Sequence, residues 1–110
     1  MRMWMVEPKI MCRKHLLGEH VELHMLVGSI NKNKKLNGFI DNGLVEIVSI
    51  TERHNELVEE MNNRGYNHNS SLPEFDLKPE YKECFVNREE SLNELISRCN
   101  ECNKLYKVMG

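Results

Sequence analysis

The amino-acid sequence predicts a mainly α fold: a compact single domain over residues 1–110, with three principal helices, long connecting loops and an N-terminal segment packed against the first helix. Three observations carry this expectation. Apolar residues recur at helical spacing in three separate stretches, two of those stretches open on capping patterns, and 110 residues at 40% apolar content suffice for one hydrophobic core but not two.

The first helix is expected to begin after Glu7-Pro8, since proline is tolerated at a helix start, and to run from Ile10 to about Ile30. At about 100° per residue, Cys12, Leu16, Leu23, Val27 and Ile30 share one face. Gly18 interrupts this helix at a cost of about 1 kcal/mol relative to alanine, which predicts that the N-terminal segment crosses close to it. A polar, basic loop follows from Asn31 to Lys35. Asp41-Asn42-Gly43 marks a turn before Leu44 to Val48, a run too short to assign by periodicity.

Ser49 and Glu52 form a capping-box pattern, after which Ile50, His54, Leu57, Val58 and Met61 repeat at helical spacing until Gly65 stops the second helix. His54 falls on the buried face, as a hydrogen-bonded core histidine. Tyr66 to Cys84 reads as a long loop. Asn87 and Glu90 open the third helix, whose stripe is Leu92, Leu95, Ile96 and Cys99, and the last eight residues read as a loose tail.

The charge balance is −2 overall, with a mean hydropathy of −0.57. Residues 1–40 carry seven Lys/Arg against three Asp/Glu, and residues 41–110 carry eight against fourteen. An anionic partner should therefore meet the N-terminal part. No apolar run approaches the roughly 20 residues of a membrane span, and Met1 to Lys9 holds no uninterrupted apolar stretch, so a cytoplasmic location is expected.

His15, Glu19 and Glu22 stand at i, i+4 and i+7 and project from one side of the first helix. A histidine and two carboxylates beside an apolar stripe suit proton transfer, because partial desolvation moves their pKa values toward neutrality. The same pattern also fits an ordinary solvated shoulder. His20 and His24 lie one turn apart at a metal-binding spacing, with no third ligand nearby in sequence. Cys99 and Cys102 form one CxxC knuckle that Cys12, Cys84 or a histidine would have to complete as a structural zinc site. Unmodified thiols and no cofactor are the default expectation. Trp4 is expected to anchor the N-terminal segment against the first helix.

Met1-Arg2, then His15-Leu16, Glu19, Glu22-Leu23, and Arg64-Gly65-Tyr66-Asn67 closing the second helix, make the chain resemble the pyrimidine-dimer DNA glycosylase family, the endonuclease V type of phages and bacteria. The resemblance covers roughly residues 1 to 70 and is strongest over the first 26. It implies a nucleophile at the α-amine of Met1, which would attack the sugar C1′ of a damaged nucleotide to form an imine, with Glu22 as the assisting carboxylate. Arg2 would contact phosphate and His15 would orient the sugar, while Glu19 would be structural, pairing with a nearby arginine. Val21 and Met25 stand where phage members carry DNA-binding arginines. The C-terminal aromatic, basic segment is reduced to Leu105-Tyr106-Lys107.

Excision of an initiator methionine generally requires a small second residue, so a large Arg2 implies that Met1 keeps its amine. α-Amines as a class have a pKa of about 7.7–8.0, leaving roughly a tenth to a third unprotonated near neutral pH. DNA glycosylase and abasic-site lyase activity follows as the leading expectation. Arg2, Arg13, Lys14, Lys32, Lys34 and Lys35 are the candidate nucleic-acid contacts. Two rivals use the same fold: a non-catalytic phage-type accessory or binding module, and a nuclease acting on single-stranded DNA or RNA.

Overall fold

The stretch Met3-Trp4-Met5-Val6 is apolar at four successive positions, which suits neither the alternation of a half-exposed strand nor the stripe of a helix, and the chain buries it whole. In this computed structural model, which describes residues 1–66, 70–81 and 83–109 with Glu80 by its backbone alone, that segment runs as irregular backbone through the core. Its backbone groups find partners across the molecule. The Met3 N–H donates to the Leu44 carbonyl at 2.7 Å, the Ser91 hydroxyl donates to the Trp4 carbonyl, and Arg53 donates to the Val6 carbonyl at 2.7 Å. Met5 takes a left-handed conformation (φ 54°), a cost of about 1–3 kcal/mol that the surrounding burial overrides.

A 3-10 turn at Pro8–Ile10 precedes helix α1, Arg13–Asn31. The helix thus starts later than the expected Ile10, because Met11 and Cys12 are extended. Their backbone groups are taken elsewhere: the Arg64 guanidinium collects the carbonyls of Pro8 (3.1 Å) and Met11 (2.7 Å), and the Cys12 N–H donates to the Cys102 sulfur at 3.2 Å. Leu16, Leu23, Leu26, Val27 and Ile30 form the buried stripe of α1. The N-terminal segment does not cross at Gly18, where a β-carbon would meet no atom within 4 Å; the glycine instead opens onto a surface cleft.

The short helix α2, Asn37–Asp41, leads through Gly43 (φ 66°) to buried Val45, Glu46 and Ile47. Helix α3, Ile50–Asn63, packs on α1. Ser49 does not cap it. Its hydroxyl donates to the Glu46 carboxylate, which also accepts from the Val86 N–H (3.0 Å) and from both terminal nitrogens of Arg88. Glu46, only 2% exposed, outcompetes the capping box and ties the start of α3 to the start of helix α4, Arg88–Arg98. Burial acts to raise its pKa, but the bonds from Ser49, Arg88 and Val86 outweigh burial and hold it below the ordinary carboxyl value.

The expected cap at Asn87 is present, its side chain accepting from the Glu90 N–H at 3.1 Å. The expected loose tail is instead helix α5, Asn100–Met109, held by buried Cys102 and by Leu105 packed against the core. Tyr66 to Cys84 is irregular apart from a 3-10 turn at Pro79–Tyr81, as far as its residues are described. Among the described residues there are no strands, and the fold is mainly α as expected.

Candidate active site

Glu22 lies at mid-helix on α1, half-buried, and accepts the Arg2 backbone N–H at 2.7 Å. This bond brings the chain terminus to the carboxylate. Since successive backbone nitrogens are at most about 3.7 Å apart, the Met1 amine lies within roughly 6.5 Å of that oxygen. Met1 itself is half-buried against the core.

A cleft of about 340 Å³ opens here, lined by Arg2, Trp4, Lys14, His15, Gly18, Glu19, Glu22 and Arg98. The Arg2 guanidinium stacks over the Trp4 ring at 3.9 Å and donates to Glu94 on α4. Its Nε is buried and has no hydrogen-bond partner among the described residues. The bond from Arg2 keeps the Glu94 carboxyl below its ordinary pKa. Trp4 is buried, as an anchor should be, and meets the His15 ring edge-on. Desolvation, followed by the charge of Lys14, lowers the His15 pKa and keeps the imidazole neutral at pH 7.

Glu19 diverges from its helix-one neighbours in the way the resemblance implied. It forms a two-pronged pair with Arg53 of α3, at 2.6 and 2.9 Å, and both side chains are almost wholly buried. The cleft therefore has one half-exposed carboxylate, Glu22, over a floor whose acid is already neutralised.

The structure brings Met1, Arg2, Lys14, His15 and Glu22 together. Arg13 is exposed beside the Tyr66 ring. Lys32, Lys34 and Lys35 lie beyond the end of α1, ten or more residues past Glu22 and so about 15 Å or more along the helix axis. Arg98 is a cleft cation that the sequence reading missed, since it sits in the acidic part of the chain and only the fold of α4 carries it to α1. Arg64 turns out to clamp the turn before α1; Asn67, the end of its motif, lies outside the described residues.

Two clusters of metal-ligand type also form. Cys99 and Cys102 meet Cys12 and His15, and His20 and His24 meet His54, each set with its donor atoms within 4.8 Å of one another. The third histidine is a buried core residue, as expected, and its contact with His20 spans 34 positions. A larger cavity, about 710 Å³ between α3 and the 72–77 segment, has Glu74 and Asp76 as its charged lining and, among the described residues, brings no cation to an acid. The smaller cleft is the better candidate because unlike charges converge there and Glu22, which lines it, holds the Arg2 N–H next to the chain terminus.

A model of the pyrimidine dimer DNA glycosylase family matches residues 1–74. The chain belongs to that family. No curated protein and no solved structure matches it. Membership in the pyrimidine dimer DNA glycosylases gives the chain a DNA glycosylase-type role at family level, with DNA as the corresponding substrate. The match holds Met1, Arg2, His15, Glu19, Glu22 and Arg53, and ends before Glu94, Arg98, Cys99 and Cys102. No described helix is long and apolar enough to cross a membrane.

Proposed function

We propose that this pyrimidine dimer DNA glycosylase family member excises a base and cleaves the resulting abasic site through an imine on the α-amine of Met1. The observation that carries this reading is the 2.7 Å bond from the Arg2 backbone to Glu22, which keeps the terminus near a carboxylate that lines an open cleft. The unprotonated amine would attack C1′ as the glycosidic bond breaks and the base leaves with the bonding electrons and a proton. The C1′–O4′ bond of the resulting glycosylamine then breaks, O4′ taking a proton as the ring opens, and the iminium so formed acidifies the C2′ proton. Glu22 is the proton acceptor within reach, and loss of that proton expels the 3′ phosphate by β-elimination.

Arg2, Lys14 and Arg98 supply positive charge at the rim for phosphate. Arg2 enters the reaction with its Nε unpartnered, and a phosphate oxygen would take the place of Glu94 on Nη2. His15 borders the same cleft, where its neutral ring would orient the sugar. Arg13 and the Lys32, Lys34 and Lys35 loop extend the basic surface for flanking backbone.

Borohydride trapping on an oligonucleotide containing an abasic site tests this directly. The expected result is a covalent protein–DNA adduct that mass spectrometry locates on Met1 and that prior acetylation of the amine abolishes. No adduct, or an adduct on a lysine, rejects the mechanism. A non-catalytic binding module is the second reading, favoured by exposed Val21 (55%) and Met25 (53%) flanking Glu22. Tight binding of another protein chain without any adduct would select it.

A further inference from the structure

Both helices that meet at the cysteine cluster begin in the same way. Cys12 is extended immediately before α1, with His15 in the first turn, and Cys99 is extended immediately before α5, with Cys102 in the first turn. No glycine or proline explains the break between α4 and α5 at Cys99. The two C-x-x-[HC] turns face each other across about 87 positions of chain. Three of these ligand residues are only half-buried and Cys102 is fully buried, so the cluster lies at the edge of the core rather than within it.

The distances can be compared with a tetrahedral ion. With zinc–sulfur bonds of about 2.3 Å and zinc–nitrogen bonds of about 2.0–2.1 Å, ideal geometry sets sulfur–sulfur separations near 3.8 Å and sulfur–nitrogen separations near 3.6 Å. Cys12 Sγ and Cys99 Sγ are 3.8 Å apart, Cys12 Sγ and His15 Nδ1 are 3.2 Å apart, and Cys102 Sγ and His15 Nδ1 are 3.7 Å apart. A disulfide would need about 2.05 Å, and all four cysteines of the chain are free.

The sulfurs are also bonded as thiolates in metal knuckles are. The Cys12 N–H donates to the Cys102 sulfur. The Cys99 sulfur accepts the backbone N–H groups of Cys102 and Glu101.

We infer that Cys12, His15 (through Nδ1), Cys99 and Cys102 bind one structural zinc ion that staples the start of α1 to the junction of α4 and α5. Four protein ligands close the coordination sphere, which makes the site structural rather than catalytic. The histidine trio is a poorer candidate, because it offers three ligands rather than four and His54 Nε2 also faces the Ser70 carbonyl at 3.2 Å, to which a zinc-bound nitrogen could not donate. Two of the ligands lie within the family match and two beyond it, so the staple would join the matched and unmatched parts of the chain.

The full-length protein, purified under reducing conditions from zinc-supplemented cells, should contain about one zinc per chain by elemental analysis. After removal of the metal under reducing conditions, Co2+ should restore intense visible ligand-field bands and near-ultraviolet thiolate charge transfer, the signature of tetrahedral sulfur ligation. Cys99→Ser and Cys102→Ser should each lower zinc affinity at least tenfold, while Cys84→Ser, outside the cluster, should keep the full complement. The wild-type cobalt spectrum decides the matter even if a variant fails to fold. A metal-free protein whose reduced form gives no tetrahedral cobalt spectrum overturns the inference. So does zinc retained undiminished in the Cys99→Ser/Cys102→Ser double variant.

Discussion

Replacing Glu19 by glutamine should cost this protein a large fraction of its stability. Arg53 is 2% exposed, and its guanidinium donates to both Glu19 oxygens, to the Val6 carbonyl and toward the Met11 sulfur. Glutamine preserves the shape and one acceptor but removes the charge, leaving a buried cation uncompensated. Breaking a buried pair in this way costs about 3–5 kcal/mol. Glu56 stands 3.6 Å from Arg53 but is 54% exposed, so solvent screens its help and the lower end, about 3 kcal/mol, is expected. Against the roughly 5–15 kcal/mol of a typical domain, that loss moves a urea midpoint down by about 1.5–2 M. The emission of Trp4, the chain's single tryptophan and buried beside His15, should report the transition. A double Glu19→Met/Arg53→Met variant should regain most of the loss. A Glu19→Gln shift equivalent to less than about 1 kcal/mol would refute the structural assignment of this carboxylate.

Glu22→Gln keeps an acceptor for the Arg2 N–H, so its midpoint should stay within about 1 kcal/mol of wild type while strand cleavage at an abasic site falls about 10²–10⁴-fold in a gel assay. Arg98→Gln should weaken DNA binding and reduce the slope of log K against log salt by about 1, as measured by fluorescence anisotropy. Asn87→Ala should lower thermal stability by about 1 kcal/mol through loss of the α4 cap, with cleavage unaltered. The lowered Glu46 pKa means that the unfolded chain binds this proton more readily than the folded one. Its stabilisation is present above the unfolded value of 4.5 and is lost as pH falls through the lower folded value, so acid titrations should show a limb that Glu46→Gln flattens.

The helices were legible wherever a stripe was buried on one side: Leu16, Leu23, Val27 and Ile30 in α1, and Ile50, Leu57 and Met61 in α3, fall where their spacing put them. The Glu19–Arg53 pair was half legible, since the acid and its structural role came from the resemblance while its partner needed the fold. The sequence reading failed where long-range partners captured local groups. Ser49 had the signature of a cap, but Glu46 offered its hydroxyl a buried carboxylate. α5 was missed although Cys102, Leu105, Tyr106 and Met109 keep helical spacing, because lysines and asparagines between them resemble a solvated tail. The meeting of Cys12 and His15 with Cys99 and Cys102 was beyond any local pattern. Only closure of α4 and α5 on the turn before α1 brings them together.

A terminal amine serves as a nucleophile only if the first residues, usually the least ordered of a chain, are fixed in place. Under the proposed mechanism, that task falls to the most apolar stretch of the sequence. Met3 through Val6 are all buried, the Met3 N–H bonds the Leu44 carbonyl, and the Trp4 carbonyl accepts from Ser91. Two positions ahead of this buried peg, Met1 has little freedom left, and the Arg2 bond to Glu22 removes much of the rest. Ordering is thus completed during folding rather than on substrate encounter, which is the condition for a high effective concentration of amine beside its acid. The same logic explains how a protein of net charge −2 can face a polyanion: Arg2, Lys14 and Arg98 gather at the cleft, while Glu56, Glu59 and Glu60 line a separate groove. Under the proposed function, a strand of DNA would be drawn to the cleft that Glu22 lines and repelled from the acidic groove, so that local placement of charge rather than its sum would set where substrate docks.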